Sequence, residues 1–129
     1  GLIHGDLRLD NFICDANRAY AIDWPNACHG SLAFDPIFLC THMESMGMGE
    51  AENFLSCFEE MSGRNMPEEE VTALLAGISG YFADQAYRAV PPALPRLRWM
   101  QKGILLAQLK LLARWGYIES PPIMSGQNT

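Results

Sequence analysis

A chain of 129 residues, 49% of them hydrophobic, is long and apolar enough to build one buried core. Fifteen Asp and Glu against nine Lys and Arg leave a formal charge of −6, which excludes a nucleic-acid partner: a duplex-binding surface needs a basic face to displace counterions. The most apolar stretch, 103–118, is broken by Gln108, Lys110 and Arg114, so neither a membrane span nor a membrane partner is expected. No signal-peptide pattern is seen, and Cys14, Cys28, Cys40 and Cys57 form no C-x-x-C pair. They are expected to be buried free thiols of a cytoplasmic protein.

In chain order, the first segments are short and rich in β-type residues. Gly1–His4 reads as the end of a strand, and Phe12–Cys14 with Ala19–Ile22 as a hairpin turned by Asp15-Ala-Asn-Arg18. From Phe34 the pattern turns helical. The first helix is expected from Asp35 to about Met46, with Ile37, Phe38, Cys40 and Thr41 inward. The second runs Glu50 to Met61, with Phe54, Leu55, Cys57 and Phe58 inward. Met43, Met46, Met48, Met61 and Met66 lie around Gly47-Met-Gly49, which has no preceding strand and no third glycine; it is a helix connection, not a phosphate loop.

Pro67 is expected to open a third helix reaching about Arg88 through Val71, Leu74, Leu75, Ile78 and Phe82. The carboxylates of Glu68, Glu69 and Glu70 in its first turn suit the helix dipole. After Pro91, Pro92 and Pro95, a last helix runs to Trp115 and is stopped by Gly116. Its Arg98, Lys102, Lys110 and Arg114 fall on one line at four-residue intervals, interrupted by Leu106, and read as a solvent face. Residues 119–129 read as a polar tail.

The segment that carries chemistry is His4-Gly5-Asp6-Leu7-Arg8-Leu9-Asp10-Asn11, followed by Ile22-Asp23-Trp24. Phosphoryl transfer to an alcohol needs a carboxylate that orients the hydroxyl and takes its proton, together with hard oxygen ligands for magnesium on the phosphates. An Asp and an Asn five residues apart on one loop, with a hairpin returning a second Asp, meet that need in order and spacing.

On these residues the chain resembles the aminoglycoside phosphotransferase and choline kinase superfamily, which shares the protein-kinase catalytic core. That family writes H-G-D where protein kinases have H-R-D, and commonly I-D-W or I-D-F at its metal-binding Asp. The resemblance implies that Asp6 is the catalytic carboxylate and that Asn11 and Asp23 are magnesium ligands. His4 and Gly5 would hold the loop, and Arg8 is a candidate contact to phosphate or acceptor, or a loop salt bridge. Asp10 has no implied role beyond a solvated carboxylate. The family's G-D-P-x-x-D-L-A pattern is met by Gly30 and by Asp35, which would brace the loop; Ser31, Leu32, Pro36 and Ile37 depart from it.

The implied fold is α+β and mostly helical, the C-terminal lobe of a protein-kinase-like fold. It would be one lobe over 1–129, with catalytic and metal-binding loops in 1–33, a helical subdomain in 34–118 and the tail beyond. The implied activity is ATP-dependent transfer of the γ-phosphate to a hydroxyl of a small molecule, aminoglycoside-like, amino-alcohol or sugar, with Mg2+ and ATP required.

Only three residues precede the H-G-D loop, and the two lysines, Lys102 and Lys110, lie in the last helix. The nucleotide-gripping lobe is therefore expected to be missing, the chain alone inactive, and the uncovered face prone to self-association. The alternatives are a non-catalytic kinase-like remnant and a metallophosphoesterase. The latter needs further ligands, and His29 and His42 have no partner at metal-ligand spacing. The residues do not reveal the acceptor.

Overall fold

Apolar residues three and four apart dominate the chain from Phe34 onward, and there the backbone is helical in the computed structural model, which describes residues 1–120. Its helices are α1 (Phe34–Ser45), α2 (Ala51–Ser62), α3 (Glu68–Ala86) and α4 (Leu97–Arg114). Helix α3 lies along α4, while α1 packs against α2, α3 and α4. Ile37, Leu75, Ile104 and Leu111, one or more from each of α1, α3 and α4, are fully enclosed where these helices meet. Burying each such side chain stabilises the fold by roughly 1.5–3 kcal/mol.

The helices stop where the sequence requires. Gly116 turns left-handed at φ 82°, its N–H donating to Ala113 O and that of Tyr117 to Leu112 O, which satisfies the last carbonyls of α4. Gly47 ends α1 in the same manner, so the Gly47-Met-Gly49 segment is the connection its sequence suggested. Pro67 stands one residue before α3 instead of opening it: its ψ of 135° is extended, and Glu68 is the first helical residue.

Short antiparallel strands precede the helices, giving a mostly helical α+β fold. Strands β2 (Phe12–Cys14) and β3 (Ala19–Ala21) form the expected hairpin, with Ile13 opposite Tyr20. Asp15 Oδ1 accepts the N–H groups of Asn17 and Arg18 and so closes the turn. Strand β1 (Leu2–Ile3) pairs with β4 (Cys28–His29), a strand with no signal of its own in the sequence.

Two further expectations need correction. Only Cys40 is buried; Cys14, Cys28 and Cys57 are exposed. Cys14 and Cys28 lie on two- and three-residue strands with no core behind them, and Cys57 faces outward on α2 where Ala51 and Leu55 turn inward. The basic row of α4 is also not a plain solvent face. Arg114 reaches across to Glu44 and Glu52, Arg98 donates to Ala89 O and Gln101 Oε1, and the Lys102 ammonium sits 5.0 Å from the centre of the Tyr87 ring. Pro121, Pro122 and 125–129 of the expected tail lie outside the described residues. Among those described, no helix is long and apolar enough to cross a membrane.

Candidate active site

Strand β1 delivers the chain into a loop whose first residue, His4, is only 1% exposed. Its Nδ1 accepts the Asp6 N–H at 3.2 Å, which leaves Nε2–H to donate to Ile22 O at 2.8 Å. One ring thus ties the loop to the segment that follows the hairpin, and it packs against Trp24 with centroids 4.6 Å apart. Gly5 has φ 81°, and a Cβ there would lie 2.6 Å from Asn26 O, so both backbone and space demand glycine.

Helix α1 holds the loop from behind. Asp35, in its first turn, accepts the His4 N–H at 2.6 Å with one carboxylate oxygen and the Gly5 N–H at 3.0 Å with the other. Seven residues on, and so on the same face of the helix, buried His42 accepts the Leu9 N–H through Nδ1 at 3.2 Å. The sequence offered His42 only as a metal ligand to be dismissed. Its spacing from Asp35 on a predicted helix is the signal that could have found it.

Asp6 then projects from a loop fixed at both ends. Burial pushes its carboxyl above the usual carboxylate range and Asp10 adds to that, while Arg8, Asn11 and His4 oppose it. Arg8 Nε lies 3.4 Å from Asp6 Oδ1, and Arg8 Nη2 lies 3.2 Å from Asp10 Oδ2. Arg8 is therefore a bridge between two carboxylates, and Asp10, though largely exposed, is more than a solvated charge.

Asn11 is buried at the end of a 3-10 turn, Leu9–Asn11. Its Nδ2 donates to Asp6 O at 2.8 Å and more weakly to Asp6 Oδ2 at 3.4 Å, leaving the amide oxygen as the end able to meet a cation. The hairpin brings the chain back so that Ile22 N–H donates to Asn11 O at 2.9 Å. Asp23 follows directly.

Asp23 is the one non-glycine among the described residues with positive φ, 64°. That conformation costs an Asp on the order of 1 kcal/mol. Trp24 Nε1–H closes the bend on Ala21 O at 2.8 Å. Asp6, Asn11 and Asp23 thus stand on backbone segments hydrogen-bonded to one another.

Among the described residues, no three His, Cys, Asp or Glu side chains cluster as metal ligands. An amide oxygen and an exposed carboxylate on adjoining segments do fit magnesium, which keeps several waters and commonly takes one or two protein oxygens beside substrate phosphates.

Beside Asp6 opens a cavity of about 530 Å3 between the loop and helices α1, α3 and α4. Phe34 and Phe38 of α1, Tyr81 and Phe82 of α3 and Met100 of α4 line it. Arg8 Nη1 approaches Met100 Sδ at 3.9 Å on its border.

Comparison with known proteins gives one match. A family model described as "Phosphotransferase enzyme family" covers residues 1–75, from the loop into α3. No curated protein and no solved structure matches the chain.

Proposed function

The chain belongs to the phosphotransferase enzyme family, and from that premise we propose that it is the C-terminal catalytic lobe of a protein-kinase-like enzyme passing the γ-phosphate of ATP to a small-molecule hydroxyl. The observation that carries this reading is the joining of three segments: Asn11 holds Asp6 through its side chain and Ile22 through its backbone. In the proposed reaction Asp6 accepts a hydrogen bond from the acceptor hydroxyl in the adjoining cavity. It takes the proton as the new O–P bond forms and the bond to the ADP oxygen breaks. A carboxyl raised by burial is better matched to that proton transfer than a fully solvated one.

Asn11, through its amide oxygen, and Asp23 are the residues proposed to hold magnesium, whose chemistry when bound is to neutralise charge on the phosphates. Arg8 orients Asp6 and offers its remaining N–H groups to a phosphate or the acceptor. His4, Gly5 and Asp35 keep the loop in shape.

Lys102 and Lys110 both lie on α4, so the lysine and strands that grip ATP are proposed to come from outside these 129 residues. Exposed Leu2, Ile13, Tyr20, Ile22, Trp24 and Leu32, all in the β-rich part, are proposed to face that lobe, or a second copy when it is absent.

The test is the metal dependence of turnover, with the chain fused behind a nucleotide-binding lobe of the same family. Asp23→Ala is expected to raise the magnesium concentration for half-maximal rate and to lower the maximal rate by about tenfold or more. An unchanged magnesium curve refutes the assignment.

A further inference from the structure

The cavity beside Asp6 narrows the acceptor further than the reaction does. Its volume suits a ligand of one or two rings. Of the residues lining it, only Asp6 and Arg8 carry charge, and they lie 3.4 Å apart, so the wall is close to neutral. Asp10, the other carboxylate on Arg8, lines a neighbouring cavity instead and is 59% exposed. The nearer acid of α3, Asp84, is paired with Arg88 at 2.6 Å, and Glu68 and Glu70 at its N-terminus bond Tyr117 and Ser31. An ammonium entering here would shed water and meet its one carboxylate with the Arg8 guanidinium already 3.4 Å away.

The rings also make a poor cage for a cation. Phe34 stacks on Phe38 and Phe38 packs on Phe82, so these rings are engaged with one another; Tyr81, 58% exposed, meets Phe82 edge-on and is the one aromatic side chain of the wall left open. What remains is an apolar wall with amide groups at its edge. Gln101 Oε1 accepts from Arg98 Nη1, so Gln101 keeps its amide nitrogen as a donor, and Asn26 stands beside Gly5. That combination suits the faces and hydroxyls of an uncharged ring compound.

Gly77 lies at the open side of this cavity, in the interior of α3. Nothing in the fold demands glycine there: its φ is not positive, and an added Cβ would meet no atom within 4 Å. A larger side chain could therefore be carried at the cavity's border without disturbing the helix.

We infer that the acceptor is an uncharged hydroxyl compound with a ring body, of the neutral glycoside or aryl-alcohol class, and that Gly77 sets how much of it the cavity admits. The inference rests on the reading of Asp6 as the hydroxyl-orienting carboxylate.

Calorimetric titration of the chain separates the classes. The probes are 1-phenyl-1,2-ethanediol against 2-amino-1-phenylethanol, which differ by a hydroxyl for an ammonium, then salicin against neamine, each of two rings, with choline as a small cation. Each neutral probe is expected to bind about tenfold or more tightly than its charged counterpart and than choline. Gly77→Leu should weaken the neutral probes by about tenfold while melting no lower than the unmodified chain. Equal or tighter binding of the cations, no saturable binding of the neutral probes, or unchanged affinity in Gly77→Leu overturns the inference.

The two readings fail separately. If neutral probes bind as expected but the fused enzyme's turnover does not depend on Asp6, the catalytic assignment falls and the ligand class stands. If cations bind better while turnover depends on Asp6, only the ligand class falls.

Discussion

His42 shows how one side chain can set the conditions under which the loop holds together. It accepts the Leu9 N–H, so it must be neutral at Nδ1 to do so. Burial lowers its pKa from the usual 6.5, and Arg8 works in the same direction, against Asp10 and Asp6. Because the folded pKa lies below the unfolded one, the contribution is present above pH 6.5 and is lost as the pH falls below it. The melting temperature is expected to drop between pH 7 and pH 5, and His42→Gln, which cannot titrate, should flatten that part of the profile. A parallel profile in the variant would mean that other groups cause the drop. At this scale the sequence was most legible where spacing is local. His4, Asp6, Asn11 and Asp23 stand out by number alone, whereas His42 and the packing of Trp24 on His4 depend on a helix and a hairpin being brought to the same place.

Among the elements, the ion pairs from α4 to α1 and α2 all come from one residue. Arg114 Nη2 lies 2.8 Å from Glu44 Oε1, and the guanidinium meets both oxygens of Glu52 at 2.6 and 2.8 Å. Burial raises the Glu52 carboxyl, but the hydrogen bonds from Arg114, one from its own backbone N–H and the Arg114 charge together hold it below its usual value; for Glu44 burial wins and the carboxyl is raised. Arg114→Met would leave these neighbouring carboxylates without their partner, at a cost of roughly 1–3 kcal/mol. The check is the midpoint of denaturant unfolding, and adding Glu44→Gln should restore part of the loss. A variant as stable as the parent would show the clamp to be dispensable. The helices themselves were readable from their 3.6-residue period and from Gly47 and Gly116 at their ends. The basic row of α4 was not, because periodicity gives a face and not the neighbour across from it. Strand β4 left no signal because Cys28–His29 is a strand only by virtue of β1 beside it.

For the molecule as a whole, the division runs between a β-rich end carrying the Asp6 loop and a helical body that shapes the cavity. The proposed trio of Asp6, Asn11 and Asp23 could be picked out in the sequence because its members fall within eighteen consecutive residues. The cavity was not, since Phe34, Gly77 and Met100 come from three helices and meet only after folding. The most direct test of the account is turnover and ATP affinity measured together for the chain fused behind a nucleotide-binding lobe, with and without Asp6→Asn. That substitution keeps the shape of the side chain and removes its ability to take a proton. The account predicts a fall in turnover of about 10²–10⁴-fold with ATP affinity nearly unchanged. Turnover within about threefold of the parent would contradict it, because a positioned general base is worth far more than that.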